Sequence, residues 1–165
     1  YNEQYGTSFF SVVSTNLYGA NDNHDPQQSH VVAALIEKSH LSKADSKPFV
    51  TLWGSGTPRR ELMYVDDAAD AAIFLIQNYT GNEAVNIGLG EDISIRTLAV
   101  MIGEVVGYHG EIKFDAAKPD GVPRKLLDSG RVHSLGWRAS TPLKEGLVKA
   151  YNFYQKSILS ATKAE

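Results

Sequence analysis

The chain has 165 residues, 42% hydrophobic and 21% charged, which is enough apolar material for one ordinary core and too much for wholesale disorder. Its 16 basic and 19 acidic side chains leave a formal net charge of −3, which argues against a general binder of nucleic acid or of an anionic membrane. The absence of cysteine removes disulfides, thiolate metal sites and cysteine nucleophiles from its own chemistry and suits a cytoplasmic setting.

Residues 8–15, Ser-Phe-Phe-Ser-Val-Val-Ser-Thr, predict a strand buried on both faces. The strand runs into Asn16, Gly19, Asn21 and Asn23, which favour turning chain, so polar groups arrive at the carboxyl end of a strand. Open α/β sheets bind their ligands there. Ser29 is placed to cap a helix reaching about Lys43, with Val31, Val32, Leu35 and Ile36 along one face. A strand over 49–53 ends at Gly54, Ser55, Gly56, Thr57 and Pro58, a turn that delivers Arg59 and Arg60. Asp66 or Asp67 then opens an alanine-rich helix through Gln77, suited to close packing on a sheet.

Residues 84–88 read as a short strand, and Ser94 caps a helix carrying Ile95, Leu98, Ile102 and Val105 that stops at Gly107. In 111–115 the alternation of Ile112 with Phe114 predicts a half-exposed strand. Thr141 and Pro142 open a last helix whose apolar face holds Leu143, Leu147, Ala150, Tyr151, Tyr154 and Ile158, with fraying over 160–165. Alternating strands and helices indicate an α/β architecture. Four strands are few for a complete doubly wound sheet, and no linker or repeat divides the chain.

Chemistry concentrates after residue 117. Lys118, Arg124, Lys125, Arg131 and Arg138 stand against Asp120 and Asp128, a local +3 in a chain of net −3. The segment reads either as a loop neutralising a diphosphate or as an exposed loop with surface ion pairs. Arg59 and Arg60 form a second basic group, with Trp53 as a flat surface nearby or, more simply, as core. His30, at a helix start, can exchange protons near neutrality or can satisfy loop backbone. His24 shares its loop, and His40, His109 and His133 read as surface residues. Asp66 and Asp67 read as capping and dipole complements before they read as paired catalytic carboxylates or metal ligands.

Other patterns are missing. Gly88-Leu89-Gly90 lacks the third glycine of a dinucleotide fingerprint, no Tyr-x-x-x-Lys or Gly-x-Ser-x-Gly occurs, and no spacing proposes zinc or another metal. No apolar run approaches the ~20 residues that span a bilayer, and no targeting segment is visible in a chain that opens on Tyr1.

Taken together, the motifs resemble the C-terminal half of the GDP-fucose synthases, a group within the extended short-chain dehydrogenase/reductase family. The resemblance is carried by Ser14-Thr15-Asn16-Leu17-Tyr18-Gly19, Asp22-Asn23, Ser29-His30-Val31, and Trp53-Gly54-Ser55-Gly56-Thr57-Pro58-Arg59-Arg60-Glu61. Val65-Asp66-Asp67, Asn86-Ile87-Gly88, Lys118-Pro119-Asp120-Gly121, Pro123-Arg124-Lys125 and Leu135-Gly136-Trp137 extend it over essentially the whole chain. It implies the last strands of a Rossmann-like parallel sheet, formed by 1–20 and about 63–92, plus a smaller α/β substrate domain from about 21–62 and 93–165.

By the same resemblance, Ser14, Thr15, Asn16, Leu17 and His30 would lie beside the nicotinamide of NADP, and Asn16 and His30 would line the keto-sugar. His30 becomes the general acid of epimerisation, and Lys38, Trp53, Arg60, Asp120 and Lys125 surround GDP. The parent reaction would be NADP-dependent conversion of GDP-4-keto-6-deoxy-D-mannose to GDP-L-fucose, in a cytoplasmic homodimer. Ser14 stands where the group usually has Pro, and Lys38 where a bidentate Arg is common. The glycine-rich loop, the Ser-Tyr-Lys set and a partner Cys belong upstream in that group, so the chain reads as a fragment that is inactive alone. Another nucleotide-sugar epimerase or dehydratase, or a non-catalytic GDP-sugar-binding module, are the alternatives.

Overall fold

The computed structural model describes residues 1–25 and 28–162, the side chains of 161 and 162 excepted. A four-residue helix, α1 (Asn2–Tyr5), precedes β1 (Val12–Ser14), β2 (Asn16–Tyr18), α2 (Val31–Ala44), β3 (Phe49–Trp53), β4 (Arg59–Arg60) and β5 (Leu62–Tyr64). Then come α3 (Val65–Asn78), β6 (Val85–Ile87), β7 (Ile93–Ser94), α4 (Ile95–Val106), β8 (Glu111–Asp115), β9 (Arg124–Lys125), α5 (Gly130–Ser134) and α6 (Leu143–Thr162).

One break in an extended segment positions everything that follows. β1 pairs in parallel with β6, and β2 pairs in parallel with β5. The change of partner falls on Thr15, whose N–H donates to Ile87 O (3.1 Å) while its Oγ1 donates to Glu61 O (3.1 Å). A β-branched residue with a hydroxyl can serve both neighbours from one buried position. β3 pairs in parallel with β8, and the short β4 lies between β7, antiparallel to it, and β9, parallel to it.

Two apolar clusters hold these pieces. The larger joins α2, α4 and α6 to β3 and β5 through Leu35, Ile36, Leu52, Leu62, Leu98, Ile102 and Leu147. In the second, Ala68, Ala71 and Leu75 of α3 pack on Met63, Val85 and Ile87, with Val132 and Trp137 closing over them. Trp137 fits there because its indole N–H finds Asp70 Oδ2 at 2.8 Å.

Several local signals held. The strands over 49–53 and 111–115 form as expected, Ser94 accepts Thr97 N–H (3.1 Å), and Gly107 ends α4 in the left-handed region at φ 73°. Others shifted. His30, not Ser29, occupies the N-cap position of α2, and α6 begins one residue after Pro142, whose carbonyl accepts Gly146 N–H (3.0 Å). The strands β2, β4, β5, β7 and β9 span two or three residues, too few for an alternation pattern to register.

The segment predicted to be buried on both faces is not: Val12 and Val13 of β1 are 39% and 45% exposed. Composition reports the capacity of a strand to be covered. It does not supply the cover, and among the described residues β1 has one ladder neighbour, β6.

Candidate functional site

The carboxyl end of β1 opens on a cavity of about 620 Å³. Ser14, Thr15, Asn16 and Leu17 form one wall, His30 at the start of α2 stands on a second, and Arg60 of β4 with Lys125 of β9 forms a third. Four separate stretches of chain therefore meet around one space, and the residues they bring are those singled out from the sequence. Asp22, Val31, Val32 and Leu62 complete the lining. A second cavity of about 230 Å³, between Leu89, Ile93 and Leu143, shares Arg60 and Leu62 with the first.

Hydrogen bonds fix the polar wall. The Asn16 amide donates from Nδ2 to Glu61 O (2.8 Å), and its Oδ1 accepts from Lys125 Nζ (3.1 Å). Arg60 donates from one terminal nitrogen to Arg59 O (2.8 Å) and Val122 O (2.6 Å), which ties β4 to the loop leading into β9.

Lys38, Trp53 and Asp120 do not line this cavity. They gather at the end of β3. Trp53 is 72% exposed, so its reading as core is overturned, and Lys38 Nζ and Lys118 Nζ sit 6.0 and 5.6 Å from its ring centre. β3 delivers Trp53 just before the glycine turn, where no helix covers it. Asp120 accepts Ser55 N–H at Oδ1 (2.9 Å) and Ser55 Oγ–H at Oδ2 (2.7 Å), and those bonds lower its pKa below the usual carboxylate value. Gly54 makes that contact possible: at φ 82° it adopts a left-handed conformation, and a Cβ there would lie 2.3 Å from Asp120 Oδ1.

The basic segment after residue 117 is largely spoken for. Arg124 pairs with Asp92, Arg131 pairs with Glu83, and Arg138 donates to the carbonyls of His133 (2.6 Å) and Trp137 (2.8 Å). Lys125 reaches the cavity and Lys118 reaches Trp53, so the local +3 does not act as one anion-binding loop. The acids that claim the arginines lie more than 30 residues away in sequence, beyond any local count of charge.

Asp92 shows what such pairing does. Its side chain is only 3% exposed and is held by Arg124 and by Arg59 Nε (2.5 Å), which together keep its carboxyl below the usual range. A lowered carboxyl contributes stability that is present above the unfolded value and is lost as pH falls through the folded one. Acid unfolding followed by circular dichroism below about pH 4 should therefore be shallower for Asp92→Asn than for the parent.

The remaining histidines are less peripheral than expected. His24 Nδ1 lies 3.3 Å from Ala33 O, His40 Nδ1 lies 3.0 Å from Tyr151 Oη, and His133 Nε2 lies 3.2 Å from Gly88 O, leaving His109 as the exposed one. Among the described residues no His, Asp or Glu group is arranged to hold a metal ion, and no helix is long and apolar enough to cross a membrane.

Sequence reasoning gave no role to Glu61, which is wholly buried. Its Oε1 accepts the N–H groups of Leu89 (2.7 Å) and Gly90 (2.8 Å), and its Oε2 accepts that of Leu127 (3.0 Å). The available signal was its place beside Arg59 and Arg60 in a stretch that otherwise carries apolar or ligand-facing residues.

The NAD dependent epimerase/dehydratase family matches residues 1–88, which include the first, second and part of the third cavity wall. The chain belongs to this family. This epimerase/dehydratase chain is 47% identical over 163 residues to a probable GDP-L-fucose synthase 1 of Oryza sativa subsp. japonica, covering 99% of this chain and 50% of that one. Among solved structures, a GDP-6-OMe-4-keto-L-xylo-heptose reductase from C. jejuni is 34% identical with a TM-score of 0.85, covering 95% of this chain and 56% of that one. A GDP-L-fucose synthetase from Naegleria fowleri bound to NADP is 26% identical with a TM-score of 0.86, covering 92% of this chain and 48% of that one. The chain spans about half the length of the curated relatives it matches. These likenesses bear out the expected α/β, Rossmann-like epimerase/reductase fold.

Proposed function

We propose that this chain supplies the sugar-nucleotide site of a GDP-L-fucose synthase, which converts GDP-4-keto-6-deoxy-D-mannose to GDP-L-fucose with NADPH. The observation that carries the proposal is the meeting of Ser14–Leu17, His30, Arg60 and Lys125 around one cavity at the carboxyl end of a parallel strand. The relatives' names support the choice of substrate, and the NADP of the Naegleria fowleri structure supports the cofactor.

The wall at Ser14, Thr15, Asn16 and Leu17 fits a nicotinamide. Thr15 is locked by two hydrogen bonds, which keeps the strand end rigid, and Leu17 adds an apolar edge beside hydroxyl and amide groups. When bound, NADPH supplies hydride to the C4 ketone. His30 lines the same cavity and acts as general acid, returning a proton to carbon on the face opposite its removal. Asn16, clamped between Glu61 O and Lys125, presents a fixed amide to the sugar. Lys125 and Arg60 face the diphosphate, and Trp53 with Lys38 and Asp120 forms an outer shelf for the nucleoside.

In this reading residues 1–20 and about 63–92 face the cofactor, and about 21–62 and 93–165 hold the substrate. The chain contains no cysteine and no Tyr-x-x-x-Lys, so the reductive groups come from elsewhere in the protein and the isolated chain is expected not to turn over.

Full-length protein given NADPH and GDP-4-keto-6-deoxy-D-mannose is expected to release GDP-L-fucose, identified by proton NMR. Lys125→Met should raise KM for the GDP-sugar about tenfold, the ~1.4 kcal/mol of one contact to a charged group. No NADPH oxidation with this substrate would overturn the assignment. The likeness to the C. jejuni heptose reductase favours, as a second reading, a different GDP-linked ketosugar, and the same assay with such sugars separates the two.

A further inference from the structure

Every polar atom of Glu61 is engaged, and its partners lie on three separate stretches of chain, 15–16, 89–90 and 125–127. The backbone N–H donates to Lys125 O (3.2 Å), and the backbone carbonyl accepts from Thr15 Oγ1 (3.1 Å) and Asn16 Nδ2 (2.8 Å). The carboxylate takes the Leu89 and Gly90 N–H groups on Oε1 and Leu127 N–H on Oε2, at 2.7, 2.8 and 3.0 Å. A buried carboxylate with no cation beside it is costly unless backbone donors replace its water. Here three do, and they come from the turn after β6 and from the chain just past Lys125.

The space around it is closed. A Cβ on Gly88 would meet Glu61 Oε1 at 2.5 Å and Ser129 Oγ at 2.6 Å, and Ser129 Oγ is buried without a hydrogen-bond partner among the described residues. Glu61 itself is 0% exposed. The two partners of the Asn16 amide are thereby both set by Glu61: one is the Glu61 carbonyl, and the other is Lys125, whose backbone Glu61 holds at two points, Lys125 O and Leu127 N–H.

We propose that Glu61 is the positioning residue of the sugar-nucleotide cavity, placing Lys125 and Asn16 opposite one another by anchoring the backbone of 125–127. The proposal deepens the reading given under Proposed function and rests on it for the identity of the ligand.

Glu61→Gln in the full-length protein is the test. The glutamine amide keeps an oxygen for Leu89 and Gly90 but turns a donor toward Leu127 N–H, so the anchor at 127 fails selectively. Amide hydrogen exchange should quicken about tenfold or more over 124–127 and stay nearly unchanged at 89 and 90. KM for the GDP-sugar should rise about fivefold, with Kd for NADPH unchanged. Combined with Lys125→Met, Glu61→Gln should add little further to KM, because it acts through Lys125.

A purely structural role would instead lower Tm and the active fraction, with KM unchanged and the two substitutions additive. That outcome, or unaltered exchange over 124–127, overturns the proposal. Should Glu61→Gln fail to fold, Glu61→Asp, which keeps the charge and shortens the reach, is read by the same exchange and KM measurements. The exchange result needs no ligand, so failure of the assigned substrate and failure of the Glu61 role give different patterns.

Discussion

His30→Gln in the full-length protein is expected to slow epimerisation by about 10²–10⁴-fold, the range of a single general acid, while NADPH affinity stays unchanged. The magnitude follows from position. His30 holds the N-cap site of α2, is exposed, and lines the same cavity as Ser14 and Thr15. Its backbone is extended at φ −73° and ψ 164°, a conformation glutamine adopts without strain, so the substitution removes the proton donor and little else.

Exchange of sugar C–H for deuterium, followed by NMR during turnover in heavy water, separates epimerisation from reduction. Loss of deuterium incorporated with inversion, with retained reduction of the unepimerised ketone, is the expected pattern. Formation of inverted, deuterated sugar at a rate within about threefold of the parent would remove His30 from the reaction.

Asp67→Ala is expected to lower unfolding stability by ~3 kcal/mol, about 1 kcal/mol for each donor left without its acceptor. Asp67 is 5% exposed, and its carboxylate accepts Ser140 N–H (3.2 Å), Ser140 Oγ–H (3.0 Å) and Thr141 N–H (3.1 Å). Those bonds fix the approach to α6, whose Leu147, Ala150, Tyr151 and Tyr154 form one flank of the larger core cluster. Asp66, one residue earlier in the same first turn, is exposed. Asp66→Ala should therefore change stability by no more than about 0.5 kcal/mol. Urea denaturation of the full-length variants measures the difference, and equal effects at the two positions would show that both act only on the helix dipole.

The contrast between these neighbouring aspartates marks the boundary between what was legible and what was not. Both read equally well as helix-start acids, but α3 begins at Val65 with Tyr64 at the N-cap and no side-chain cap bond, so Asp66 keeps its place in the first turn and not the capping role. Asp67 has a second task because Ser140 and Thr141, more than 70 residues on, are folded against it. Trp53 likewise looks like core by composition, and it is exposed because β3 ends there without a covering helix.

Local chemistry was decided within the sequence. The cap at Ser94 and the glycine stop at Gly107 depend on dihedral preferences and partners a few residues apart, the strands over 49–53 and 111–115 show in their own residue types, and the family motifs around Asn16, His30 and Arg60 are read from residue identity. The tertiary structure alone decided which charges were free to act. Arg59 meets Asp92 across 33 residues, Lys125 meets Asn16 across 109, and Glu61 gathers donors from three stretches of chain. Hydrogen bonds and ion pairs act over about 3 Å, so a residue's partner is fixed by where the backbone folds back, and residue spacing along the chain carries no record of that distance.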